Sequence, residues 1–361
     1  MRRQQPAAVT SPRSWGGESP NLDVLRANAV FMVLGFHALA FFGIRRLGAF
    51  DLEAVGMFGL FSFFVHTTLV LMFSLERQVS KHGRSRLFLI FMARRFFRIY
   101  PLSIFVVAVI VLFRLPLAGH PWAMSWPHLD RAGIISNFLL TQNLTWTNSV
   151  EGPLWSLPFE VQMYLFLPIL FLYARKSQSP WILVAGWALV VTGISAAQYL
   201  GHGHLLMYVP CFLAGIIAYR FSEQTSQRWP FWGWLLLLWS SAAVYAVFTR
   251  MEVAWLICLL LGMAQPRFVE LRHPFVRRAS YLISKYSYGF YLSHYFCGWL
   301  AFKKLGFLSI ESQWIIFTLT VMALPVALYH AVEQPSIYAG KRLVENWLIR
   351  SQPPVLARKA A

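Results

Sequence analysis

Apolar residues run in long blocks from residue 24 to about residue 333, and polar residues gather in the short breaks between them. A helix that crosses a bilayer needs roughly 20 such residues in succession. Blocks of this kind lie at 24–43, 52–75, 87–114, 153–174, 181–199, 204–221, 231–248, 250–265, 286–302 and 312–333. The pattern predicts an all-α, polytopic integral membrane protein with about ten transmembrane helices. A further run at 134–144 is shorter and holds Ser136, Asn137, Thr141, Gln142 and Asn143. It is too polar to face lipid, which predicts one short re-entrant segment, or one lying at the outer surface.

Loop charge decides between the two topologies this run allows. If 134–144 does not cross, the basic stretches 77–98, 175–176, 220–228 and 267–285 all share one side with both tails. If it crosses, every later loop flips and the 267–285 cluster lands outside. Basic loops favour the cytoplasmic face, so the N- and C-termini are expected in the cytoplasm. The expected organisation is a disordered basic cytoplasmic tail (1–21), a transmembrane domain (22–338) and a second cytoplasmic tail (339–361). No clear internal repeat of the kind common in transporters is visible.

Composition agrees with this pattern. The chain is 57% hydrophobic and 13% charged, with a mean hydropathy of +0.53, whereas soluble domains carry roughly a quarter charged residues. The net charge of +18 comes from arginines in short loops, which orient membrane helices; a nucleic-acid partner is not expected. Ala38-Leu39-Ala40 after the first block resembles a signal-peptide cleavage site. The basic region before that block is long for a signal, and cleavage would discard Arg26 and His37. Cys211, Cys258 and Cys297 lie inside apolar blocks without metal-ligand spacing and read as small core residues, with no metal site.

Charged and hydrogen-bonding groups inside a bilayer are costly and mark function by default. The first block carries Asp23, Arg26 and His37. Arg26 and His37 share one helix face, about three turns or roughly 16 Å apart, and Asp23 is an i,i+3 neighbour of Arg26 able to pair with it. The third block opens with Arg94, Arg95 and Arg98 just before Pro101, a dense cationic site; arginine forks bind phosphate and carboxylate. Positive-inside anchoring explains Arg94 and Arg95 well and Arg98, further in, less well. In the fourth block Ser156, Glu160 and Tyr164 form one polar stripe beside Trp155. In the ninth, Ser287, Tyr291 and His294 share a face next to Tyr288. Glu333, at the end of the last block, is expected at the depth of Arg95, Arg98 and Tyr288.

These stretches resemble the membrane-bound acyltransferase-3 family of bacterial cell-surface O-acyltransferases. The resemblance is carried by Leu22-Asp23-Val24-Leu25-Arg26 with His37 eleven residues on, Arg94-Arg95-Phe96-Phe97-Arg98-Ile99-Tyr100-Pro101, Leu154-Trp155-Ser156-Leu157 with Glu160, Gln162 and Tyr164, Ser287-Tyr288 with Tyr291, Leu292 and His294, and Glu333-Gln334-Pro335. They occur in the family's order and cover 22–338. The family's essential arginine and histidine fall on Arg26 and His37, and its R-x-x-R pair falls on Arg95 and Arg98. Two departures stand out. A Ser-Gly pair usual in the second helix is replaced in Phe63-Phe64-Val65-His66-Thr67-Thr68, so helix packing there must differ and His66 is an added polar group without an assigned place. A second acidic residue in the fourth block is Val161.

The resemblance implies transfer of an acyl group, acetyl first, from cytoplasmic acyl-CoA as co-substrate to a hydroxyl of a cell-surface or lipid-linked glycan, exopolysaccharide or O-antigen above others. It implies no permanently bound cofactor, a multi-pass place in the bacterial inner membrane, and polysaccharide-assembly proteins as partners. His37 suits a general base, or a transient acyl carrier, with Arg26 and Glu160 in support. Arg94, Arg95, Arg98, Tyr288 and Glu333 suit the donor. Asp23, Trp155, Ser156, Tyr164, Tyr291 and His294 suit the acceptor or support the others. A membrane transporter of a glycan or proton-coupled substrate is the alternative class, since intramembrane His, Arg and Glu suit that too.

Overall fold

A computed structural model describes residues 19–115 and 130–349. Each of the ten apolar blocks is helical. In chain order the helices are α1 (Pro20–Ala40), α2 (Leu52–His82), α3 (Leu87–Phe113), α4 (Arg131–Leu139), α5 (Leu157–Lys176), α6 (Pro180–Tyr199), α7 (Val209–Gln224), α8 (Phe231–Val247), α9 (Met251–Ala264), α10 (Pro274–Trp299), α11 (Ile310–Leu328) and α12 (Gln334–Leu343). Among the described residues, seven helical stretches are long and apolar enough to cross a membrane: those built on α1, α2, α3, α5, α6, α7 and α11. The other three predicted spans fall short of that measure for visible reasons. Helices α8 and α9 have only 17 and 14 residues. Helix α10 has 26, but its first half carries Arg277, Arg278 and Lys285.

Burial separates lipid-facing from central helices. Helix α6 is strongly apolar, yet only 17% of its most apolar window is buried, and Leu189 on it is 75% exposed. An apolar helix that the protein does not cover is one that lipid covers. Helix α2 is the opposite case, with 72% of its window buried. It packs against α1, α7 and α8, while α1 also packs against α10 and α10 against α11. Helices α1, α2 and α10 thus form the centre around which the polar residues collect.

The contact between α2 and α7 resolves the first departure from the family pattern. A Cβ added at Gly215 of α7 would lie 2.5 Å from the Val65 carbonyl oxygen and 2.6 Å from the Thr68 Cβ. The glycine that permits close approach is on α7, so α2 can carry threonines at the same crossing.

The segment read as re-entrant or interfacial does not cross. Helix α4 has nine residues, a length of about 13 Å, and the chain turns at Leu140 in the left-handed region, φ +54°. Side chains fold the following loop back on it. Asn137 donates to the Gly133 and Asn148 carbonyls and accepts from the Val150 amide, and Gln142 donates to the Leu154 carbonyl.

Two boundaries differ from the sequence expectation. Residues 1–18 of the expected N-terminal tail lie outside the described residues, but Ser19 to Asn21 are ordered. Ser19 caps α1 and donates to Glu270 at 2.7 Å, and Asn21 bonds Val269 and Leu271 through its amide. Hydropathy could not show these bonds, because they join segments about 250 residues apart. The expected C-terminal tail from 339 starts inside α12, which continues as a π-helical segment to Ile349. Gly340 brings α12 against Phe97 of α3: a Cβ there would meet the Phe97 Cβ at 2.6 Å. Residues 350–361 lie outside the described part.

Candidate active site

Two cavities lie on either side of a buried polar layer. The larger, of about 670 Å³, is lined by His37, Ser156, Glu160, Tyr288, Tyr291 and His294, together with the aromatic side chains of Phe63, Trp155, Phe159 and Tyr208. The smaller, of about 250 Å³, is lined by Asp23, Arg26, His66, Arg98, Ser284 and Lys285 among others. Arg26 and His37, on one helix, therefore serve different cavities.

Helices α1 and α10 bring two histidines together. The His294 Nε2 lies 3.2 Å from the His37 Nδ1, and the rings are tilted with centroids 5.0 Å apart. The backbone fixes their tautomers. His294 Nδ1 faces the Phe290 and Tyr291 carbonyls at 2.9 and 3.0 Å. Carbonyls only accept, so Nδ1 carries the proton and Nε2 is an acceptor. His37 Nδ1 faces that acceptor and also the Val33 carbonyl at 3.0 Å, so it carries a proton too. The lone pair of His37 is then on Nε2. Tyr295 packs its ring edge-on to His37, with centroids 5.7 Å apart.

The entry to α5 holds the next group. Pro153 and Pro158 shape a 3-10 turn (Gly152–Ser156) that runs into α5. The Tyr291 hydroxyl donates to the Pro153 carbonyl, which leaves it as acceptor for the Ser156 hydroxyl at 3.0 Å. This pair ties α10 to the start of α5 beside Trp155.

The polar layer between the cavities contains the remaining acids and arginines. Tyr164 donates to Glu160 one turn before it. Arg98 is ion-paired with Glu333, which is 1% exposed and sits in a π-helical turn, Tyr329–Glu333; such turns recur at functional sites. The Tyr288 hydroxyl donates to the Ile99 carbonyl at 2.8 Å. Arg95 lies over the Phe91 ring at 5.9 Å. Arg26 lies over Phe63 at 5.0 Å, with Arg98, Glu160 and Glu333 as charged neighbours.

Most of the residues singled out in the sequence are thus gathered around one layer. Of the four residues expected at a common depth, Glu333 is ion-paired with Arg98 and Tyr288 bonds the carbonyl of the next residue, Ile99, while Arg95 lies one turn before Arg98 on α3. Arg94 lines neither cavity; its charged neighbour is Glu345, beyond α12. Glu160 reaches the larger cavity, but its hydrogen bond is to Tyr164 and its charged neighbours are Arg26, Arg95 and Arg98.

Two residues escaped the sequence reading. Phe63 forms part of the wall between the cavities, and nothing distinguishes it from 30 other phenylalanines in the chain. Glu151 is 0% exposed, and neither carboxyl oxygen has a hydrogen-bond partner. Burial pushes its carboxyl well above the usual carboxylate range. Its position in a polar loop gave no reason to expect burial.

The family model described as "Acyltransferase domain" (Acyl_transf_3) matches residues 19–332. No curated protein and no solved structure matches the chain.

Proposed function

This chain belongs to the membrane acyltransferase family and is an enzyme, and from that premise we propose that it moves an acyl group from cytoplasmic acyl-CoA to a hydroxyl of an extracytoplasmic or lipid-linked glycan. The observation that carries this reading is the pair of cavities divided by a layer of Arg26, Arg95, Arg98, Glu160 and Glu333. On the topology favoured by loop charge, the smaller cavity faces the cytoplasm, where acyl-CoA is made. Its cationic lining suits the donor's phosphates. The larger cavity faces outward. Its aromatic walls and few polar groups suit a sugar ring presented one hydroxyl at a time.

In this mechanism the acceptor hydroxyl approaches His37 Nε2, which takes its proton as the oxygen forms a bond to the thioester carbonyl carbon. The carbon–sulfur bond then breaks, and the departing thiolate takes that proton back from His37 Nε2, which leaves free coenzyme A and the neutral imidazole. The imidazolium formed on His37 keeps its Nδ1 proton on His294 and Val33, so the ring does not turn as it charges. Acetyl is the expected acyl group. Exopolysaccharide or O-antigen is the expected acceptor and the bacterial inner membrane the expected location. Polysaccharide-assembly proteins are the expected partners. The test is thiol release from acetyl-CoA by protein purified in lipid discs, with glycan extracts as acceptor. Acceptor-dependent release of coenzyme A is the expected result; transport of glycan without thiol release would favour the carrier reading instead.

A further inference from the structure

His66 belongs to a departure from the family pattern that the site has not yet absorbed. It stands in the middle of α2, 3% exposed, and lines the inner cavity. Its Nδ1 is buried without a hydrogen-bond partner, a costly state for a polar atom. One turn earlier on α2 is Phe63, about 4.5 Å away along the helix axis. Phe63 lines the outer cavity and carries the Arg26 guanidinium on its ring. His66 therefore sits at the blind end of the inner cavity, against the wall that an acyl group must pass to reach His37. Ser19 and Lys285 line the same cavity from the N-terminus of α1 and from the basic half of α10, nearer the expected cytoplasmic entrance.

We propose that His66 hydrogen-bonds the thioester carbonyl of the donor, and so reads whether coenzyme A is acylated. This rests on the inner cavity being the donor site. A donor that enters with its phosphates toward Ser19 and Lys285 presents its thioester last, at the His66 end. An imidazole offers an N–H to the carbonyl oxygen. Free coenzyme A ends in a thiol and has no such oxygen. The residue thus helps to load acyl-CoA and to release the product. At the same position a leucine fills similar space without a polar atom.

The test is titration of the purified full chain with acetyl-CoA and, separately, with coenzyme A. Wild type is expected to prefer acetyl-CoA by about tenfold, the scale of one hydrogen bond. His66→Leu is expected to lose that preference by weakening acetyl-CoA alone, with coenzyme A bound as before. His66→Gln, which keeps an N–H donor, is expected to recover part of it, and its recovery guards against a packing defect in the leucine variant. Unchanged acetyl-CoA affinity in His66→Leu would overturn the assignment, and so would equal weakening of both ligands. A wild type that binds neither ligand would overturn the donor-site reading itself, a result distinguishable from either.

Discussion

At the scale of single residues, the account turns on which atoms carry protons and which charges are held by a fork. The hydrogen bonds of His294 to two backbone carbonyls make it an acceptor for His37, so in the proposed mechanism it is a positioning residue that acts through His37. His294→Ala should lower kcat by about a hundredfold, within the range a positioned base supplies, while the donor KM stays near its wild-type value. His294→Gln, whose carbonyl oxygen can accept the same bond, should recover part of the loss. Equal activity of His294→Ala and wild type in a turnover assay would remove the dyad from the mechanism. Arg98 is held by Glu333 at the inner cavity. Arg98→Lys keeps the charge and loses the fork. Donor titration should show binding weaker by about 1–3 kcal/mol, the scale of a charged hydrogen bond; equal affinity would leave Arg98 as an anchoring charge only. The residues proposed to carry this chemistry are legible in the sequence because a charged or imidazole side chain in an apolar block is conspicuous. Glu151 and Phe63 were not, since one lies in a polar loop and the other among many phenylalanines. Their roles depend on which cavity or core they meet.

At the scale of helices, the apolar blocks identified the elements well and their ends poorly. Helix α10 starts at Pro274, although its apolar block starts at 286. Its first turns lie in the basic stretch, where hydropathy carries no helical signal. Helix α1 likewise begins at Pro20, pinned by Ser19 and Asn21 to the 269–271 segment. The exchange of glycine for threonine at the α2–α7 crossing shows why a departure from a family pattern could not be interpreted alone. Close approach needs one small residue at the crossing, and either helix can supply it; here Gly215 does. The 134–144 segment is expected not to cross because buried amides need partners that lipid cannot offer, and the nine-residue α4 in it is shorter than a span. Asn137 bonds Asn148 and Val150 in the loop that follows, and the Gln142 amide nitrogen donates to the Leu154 carbonyl.

At the scale of the whole molecule, a smaller cationic cavity and a larger aromatic cavity lie on opposite sides of one polar layer, and loop charge is the basis for expecting the smaller one on the cytoplasmic side. Ten spans with cytoplasmic termini should make a reporter fused at Lys176 read as cytoplasmic and one near Gly201 as external. The opposite pattern would reverse the donor and acceptor sides. The central claim is that His37 drives acyl transfer to a glycan outside the membrane. It is tested most directly by feeding labelled acetate to cells that lack the protein and carry either wild type or His37→Ala at equal membrane levels, then counting alkali-labile label on their extracytoplasmic glycans. Wild type should restore the label and His37→Ala should leave it at the level of the deletion strain, since a small neutral side chain is easily accommodated and only the proton acceptor is lost. Near-normal label with His37→Ala would contradict the account.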